Sequence, residues 1–181
     1  MAPGSRAPRL GPFGMAERAG RSSLIEIRDL SKRFPGVLAL DREKGAREAL
    51  KESSGIEVVN TLNTGSDPQK IYAAIENAML ADPSINGLLS LECCSTPPAG
   101  TWVQRNNKTG QVKVVGFDLL DQTVELVANG NIEATIDQAP ERQGFAAVDM
   151  LVKFLKGKTI DNLDTGVGIY TKENIGEVAK K

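Results

Sequence analysis

Apolar residues in this chain gather into short runs that stop at small or hydrogen-bonding residues. Residues 85–91 form a near-continuous apolar run, Ile85-Asn86-Gly87-Leu88-Leu89-Ser90-Leu91, followed by Glu92. Residues 111–117 end in Val114-Val115-Gly116-Phe117, followed by Asp118, and residues 132–137 are followed by Gln138. With residues 56–62, these runs predict four strands, and runs without strict alternation suit strands buried on both faces. Between them the apolar spacing changes to three and four. That spacing predicts helices over 41–51 (Ala46, Ala49, Leu50) and from Pro68 through Met79 (Ile71, Ala74, Ile75, Ala78). It also predicts helices over 97–107 (Trp102, Val103), 120–129 and 141–156 (Phe145, Val148, Leu151, Val152, Leu155). Ser66-Asp67-Pro68 supplies a capping side chain and a first-turn proline. Gly130 and Gly157 are placed as helix stops. Residues 159–170 read as irregular to extended, and 172–181 as a short amphipathic tail. Nearer the N-terminus, residues 24–30 alternate as a strand does, and Pro35-Gly36 predicts a turn.

Strands alternating with helices of about 10–15 residues predict an α/β fold: a three-layer parallel sheet with helices on both faces. In such sheets ligands bind beyond the carboxyl ends of the strands. The residues following the strands are therefore the candidate site. Asp118 can accept two hydrogen bonds from neighbouring hydroxyls, and bonds to an ionised group are the strong ones. The alternative is that it caps the helix over 120–129. Glu92 is a ligand contact or a solvated loop acid. Gln138 both donates and accepts, which suits a hydroxyl; its rival role is a structural turn before Pro140. Asp137 reads as a turn or hinge residue, Asp67 as a helix cap and Trp102 as core.

Composition removes several chemistries. The chain has 181 residues and no histidine, so Ser-His-Asp triads, Cys-His dyads and histidine metal sites are excluded. Its two cysteines are neighbours, Cys93-Cys94, too few for a four-ligand zinc site. They read as two thiols at the end of a buried strand. The net charge of −1 gives no general attraction for nucleic acid. There is neither G-x-x-x-x-G-K-[ST] nor G-x-G-x-x-G, and no acid/base pair. No enzyme activity, metal or cofactor is expected. Three regions are expected: a disordered leader over 1–23 without a secretory-signal pattern, a strand and turn over 24–40, and the α/β domain over 41–181.

The run Val112-Lys113-Val114-Val115-Gly116-Phe117-Asp118 belongs to a larger pattern. It is followed by Ile132-Glu133-Ala134-Thr135-Ile136-Asp137-Gln138, by Leu155-Lys156-Gly157-Lys158 and by Thr171-Lys172-Glu173-Asn174. With Pro83-Ser84-Ile85-Asn86-Gly87-Leu88 and the helix over 42–50, this resembles the C-terminal half of the ribose/galactose-type periplasmic sugar-binding proteins of ABC transporters. The resemblance implies a periplasmic-binding-protein type I fold, here one incomplete lobe of two. It also implies a monosaccharide or polyol ligand, a membrane permease partner, a periplasmic location, and sugar contacts at Asp118, Gln138 and Glu92. Cys93 and Cys94 depart from the family's usual residues. The helix over 141–156 would pack in the missing lobe, so its exposed apolar stripe implies self-association.

Residues 24–41, Leu-Ile-Glu-Ile-Arg-Asp-Leu-Ser-Lys-Arg-Phe-Pro-Gly-Val-Leu-Ala-Leu-Asp, resemble instead the start of a sugar ABC transporter ATPase. That resemblance implies adenine stacking at Phe34, but no phosphate loop follows. The chain thus reads as a truncated or chimeric sugar-binding component. The alternatives are an ATP-binding subunit fragment, or a sugar-responsive transcription regulator sharing the fold. The regulator would need a helix-turn-helix that the leader does not supply.

Overall fold

The computed structural model describes residues 34–53 and 55–180. The leader and the strand expected over 24–30 lie outside them.

The described elements are α1 (Phe34–Lys51), α2 (Pro68–Ala81), β1 (Gly87–Leu89), α3 (Thr96–Arg105), β2 (Lys113–Phe117), α4 (Asp121–Ala128), β3 (Ala134–Asp137), α5 (Pro140–Leu155), β4 (Gly168–Thr171) and a closing 3-10 turn, Ile175–Lys180. The strands lie in the order β1-β2-β3-β4. The first three are parallel, in register Leu88 with Val114 and Gly116 with Thr135. β4 returns antiparallel to β3, pairing Ile136 with Ile169. The α/β fold stands, with a mixed sheet in place of a fully parallel one.

Period-two alternation divides the sheet into two faces. Val114 and Thr135 are fully buried on one face, with Leu88 packed against the same core. Here α2 contributes Ile71, Ile75 and Met79, α3 contributes Ala99, Trp102 and Val103, and α4 contributes Leu126 and Val127. Trp102 is core, as its helical spacing predicts. Asp67 caps α2 as expected, its carboxylate accepting from the Gln69 and Lys70 amides at 2.9 and 3.2 Å. The other face carries Leu89 and Ile169, 48% and 62% exposed, with Val115, Phe117 and Ile136 half-buried between them. That face meets α1 through Arg42, whose guanidinium lies over the Phe117 ring.

Gly116 shows how closely α3 approaches the sheet. A Cβ there would collide with the Thr96 side chain. With no Cβ in the way, the Thr96 hydroxyl accepts from the Phe117 amide at 3.0 Å. The helix N-terminus is thereby pinned to the end of β2, where the candidate site begins.

Several expectations need correction. Pro35-Gly36 is not a turn but lies in the first turn of α1, where proline's missing N–H costs nothing. Residues 56–62 form no strand; Ile56, Val58 and Val59 are 61%, 43% and 56% exposed. Their apolar and β-branched residues suit a sheet, but strand geometry is favoured only when such residues cover something. β4 falls at the end of the stretch read as irregular to extended, 159–170, and continues to Thr171. Its residues lack a long apolar run, and they take strand geometry by pairing with β3. The cysteines are not at the end of a buried strand: β1 ends at Leu89, and both thiols are half-exposed in the turn leading to α3.

α5 stands as predicted from its spacing, but its apolar stripe is open. Phe145, Val148, Val152 and Leu155 are 77%, 64%, 41% and 60% exposed. No described helix is long and apolar enough to cross a membrane.

Candidate functional site

The carboxyl ends of β1, β2 and β3 converge on one polar cluster. β2 delivers Asp118 in a left-handed backbone conformation, φ 69°. Only a few residue types tolerate this, aspartate among them. The turn is held from both sides by β3. The Asp118 amide donates to the Ile136 carbonyl at 2.8 Å, and the Thr135 hydroxyl donates to the Asp118 carbonyl at 2.8 Å. The backbone is thereby fixed and the carboxylate is left to project beyond the strand.

β3 delivers Gln138. A second left-handed residue, Ala139 at φ 53°, turns the chain into α5. The Gln138 amide nitrogen donates to Asp118 Oδ1 at 2.7 Å. Its carbonyl Oε1 accepts from Arg42 Nη2 at 2.7 Å, and Arg42 Nη1 donates to the Leu91 carbonyl beyond β1 at 2.6 Å. The guanidinium carbon sits 4.2 Å from the centroid of the Phe117 ring. Stacking and two hydrogen bonds together fix the plane of the guanidinium.

Two of the three residues expected at the site, Asp118 and Gln138, are thus hydrogen-bonded to one another. The capping alternative for Asp118 fails, because α4 begins at Asp121 with Leu120 as its cap and has no side-chain cap bond. Glu92 lies beyond the end of β1, outside this hydrogen-bond network. Its backbone carbonyl accepts from the Ser95 amide and from the Ser95 and Thr96 hydroxyls at 3.2, 2.9 and 3.2 Å, which shapes the turn into α3. Its carboxylate and that of Asp118 both act on Cys93. Arg42 was missed. It lies near the start of the helix expected over 41–51, and no local pattern in the sequence marks it as a site residue.

Chemically, the cluster offers a carboxylate, an amide, a forked cation and an aromatic face. These suit a neutral molecule rich in hydroxyls. Among the described residues, no group of three or more Cys, Asp or Glu is arranged to hold a metal ion. The cluster is also closed on itself, since the Arg42 fork already satisfies Gln138 and Leu91. A ligand that takes the Gln138 amide must replace its bonds, whereas the second Asp118 oxygen and the remaining Arg42 N–H groups can add new ones.

Residues 34–159 match the family described as "Periplasmic binding protein domain". The chain is 30% identical over 150 residues to the xylose/arabinose-binding protein of Sulfolobus acidocaldarius, covering 78% of this chain and 37% of that protein. It is 28% identical over 130 residues to the D-ribose/D-allose-binding protein of Pseudomonas aeruginosa, covering 71% and 40%. Among solved structures, the ABC transporter solute-binding protein of Burkholderia graminis in complex with D-arabinose superposes with a TM-score of 0.71 at 28% identity. That superposition covers 75% of this chain and 49% of the other. A solute-binding protein of Agrobacterium vitis bound to α-D-tagatopyranose gives 0.73 at 25% identity, covering 78% and 48%. The chain spans less than half the length of each of these proteins. The match beginning at residue 34 also takes in Phe34 and the residues up to Asp41, which had been likened to a transporter ATPase. The comparisons give that likeness no support.

Proposed function

Because the chain belongs to the periplasmic binding protein domain family, we propose that it carries one wall of a monosaccharide site and acts as a partial solute-binding component of an ABC-type sugar transport system. The observation that carries this reading is the hydrogen-bonded series Arg42, Gln138 and Asp118 at the carboxyl ends of the parallel strands. In this reading Asp118 accepts from sugar hydroxyls and Gln138 bridges donor and acceptor groups. Arg42 donates while its partner ring, Phe117, presents an apolar face. Glu92 takes part through its carboxylate at the edge of the crevice. The role is binding, without catalysis. A membrane permease is the proposed protein partner and the periplasm the proposed location. Self-association through the open stripe of α5 belongs to the same reading.

A full cleft buries most of a small ligand, whereas one wall leaves much of it in water. The expected affinity for a monosaccharide is therefore about 1 mM or weaker, equivalent to roughly 4 kcal/mol. Calorimetric titration with D-xylose, D-arabinose, D-ribose, D-allose and inositol checks this. Micromolar affinity for any of them would contradict a half-site.

A further inference from the structure

The turn between β1 and α3 places two reduced thiols side by side. Cys93 Sγ and Cys94 Sγ are 3.4 Å apart, and both residues are half-exposed. A direct disulfide would require the sulfurs to close to about 2.05 Å. The planar trans peptide between the two residues resists that closure. Two thiolates on a tetrahedral zinc, each at about 2.3 Å, would stand roughly 3.8 Å apart. Bonds of the same length meeting near a right angle give a span of about 3.3 Å. The 3.4 Å contact between the free thiols lies near both spans, so a small side-chain adjustment lets them grip a single centre. No further Cys, Asp or Glu among the described residues completes a metal-holding group. A centre held here must bring its own third substituent.

We propose that Cys93 and Cys94 form a chelating site for trivalent arsenic–oxygen compounds, with the third substituent on arsenic directed into the neighbouring pocket. That pocket has a volume of about 510 Å³. Cys94 lines it, together with Tyr72, Pro97, Pro98 and Leu120. These are flat or apolar surfaces, suited to an aryl group. The chemistry balances without an oxidant or reductant. Each S–H exchanges with an As–O bond to form As–S, each thiol proton leaves with the arsenic-bound oxygen as water, and arsenic stays trivalent.

The surroundings favour this exchange over binding of a metal ion. Burial, the Cys94 thiol, and the negative charges of Asp118 and Glu92 push the Cys93 thiol up to about 11. It stays protonated at neutral pH, which opposes metal ions that need two thiolates. Exchange at As–O consumes thiols and leaves the chelate uncharged beside those carboxylates.

Intact-mass spectrometry of the full chain with two probes, phenylarsine oxide and arsenous acid, tests the proposal. The expected product with phenylarsine oxide is one phenylarsenic group replacing two thiol hydrogens, with both cysteines protected from iodoacetamide. A small dithiol should remove it, and a monothiol at the same concentration should not. Phenylarsine oxide should bind about tenfold more tightly than arsenous acid, through burial of its ring. C93S and C94S should each give an adduct that a monothiol removes, with unchanged far-ultraviolet circular dichroism. Two arsenic groups on the wild-type chain, removal of the wild-type adduct by a monothiol, or reaction only in denaturant would overturn the chelate. Equal affinity for the two probes would overturn the assignment of the pocket.

Discussion

Asp118→Asn is expected to weaken monosaccharide binding about tenfold or more while leaving the fold in place. Hydrogen bonds to a charged acceptor contribute about 1.5–3 kcal/mol against roughly 1 for neutral ones, so neutralising a carboxylate proposed to accept from two hydroxyls costs about 1–4 kcal/mol, with a factor of ten reached at about 1.4. Asparagine is the informative replacement because it isolates charge. It tolerates the left-handed conformation, φ 69°, that Asp118 adopts. It also retains an oxygen for the Gln138 amide, now 2.7 Å from Oδ1. Stability should fall by about 0.5–1 kcal/mol, because the retained Gln138 bond loses its charged acceptor. Asp118→Ala, by contrast, loses the Gln138 bond and places a Cβ-bearing residue without a stabilising side chain at positive φ, for a cost of about 1–2 kcal/mol. Sugar titration followed by NMR, with parallel thermal melts, separates the two effects. Unchanged affinity in Asp118→Asn would remove the carboxylate from the site.

The second large effect concerns association. Phe145, Val148, Val152 and Leu155 lie along one stripe of α5 and are 77%, 64%, 41% and 60% exposed. Fully burying such side chains is worth about 1.5–3 kcal/mol each. Two copies meeting along this stripe have enough apolar surface to offset the entropic cost of association, about 4 kcal/mol at its lowest. The chain is therefore expected to dimerise or form larger assemblies at roughly micromolar to millimolar concentration. Glu at positions 145 and 152 keeps the helix, since Glu is a good helix former, and puts charge in the stripe. Phe145→Glu with Val152→Glu should give a monomer. Sedimentation over a concentration series reads both states. A wild-type chain that stays monomeric, or a double variant that still assembles, would sink the idea.

How much of this could be read from the sequence depends on how local each cause is. The start of α2 was legible because Asp67 and Pro68 act within one turn. α5 was legible because its stripe repeats over several turns, and the repeat survives even where nothing covers it. Asp118 and Gln138 were legible as residues that end strands, and their hydrogen bond follows from the parallel pairing of β2 with β3. Residues 56–62 misled because an apolar, β-branched run states a capacity to pair, not the presence of a partner. Arg42 was overlooked for a related reason. Its importance depends on Leu91, Phe117 and Gln138, which lie far along the chain and meet it only in the fold. β4 is likewise defined by β3 rather than by its own four residues. The resemblance over 24–41 to a transporter ATPase rested on short local identity and finds no support, and the family match takes in its last residues, 34–41.

The central claim is that the ends of β2 and β3, with Arg42, form one wall of a sugar site. NMR chemical-shift mapping of the isotopically labelled chain during titration with D-arabinose tests it most directly. The account predicts shifts centred on the Gln138 side-chain amide, the Arg42 guanidinium and the Asp118 backbone amide, with half-saturation at about 1 mM or above. Shifts centred elsewhere with these three groups unmoved, or saturation at micromolar sugar, would contradict it.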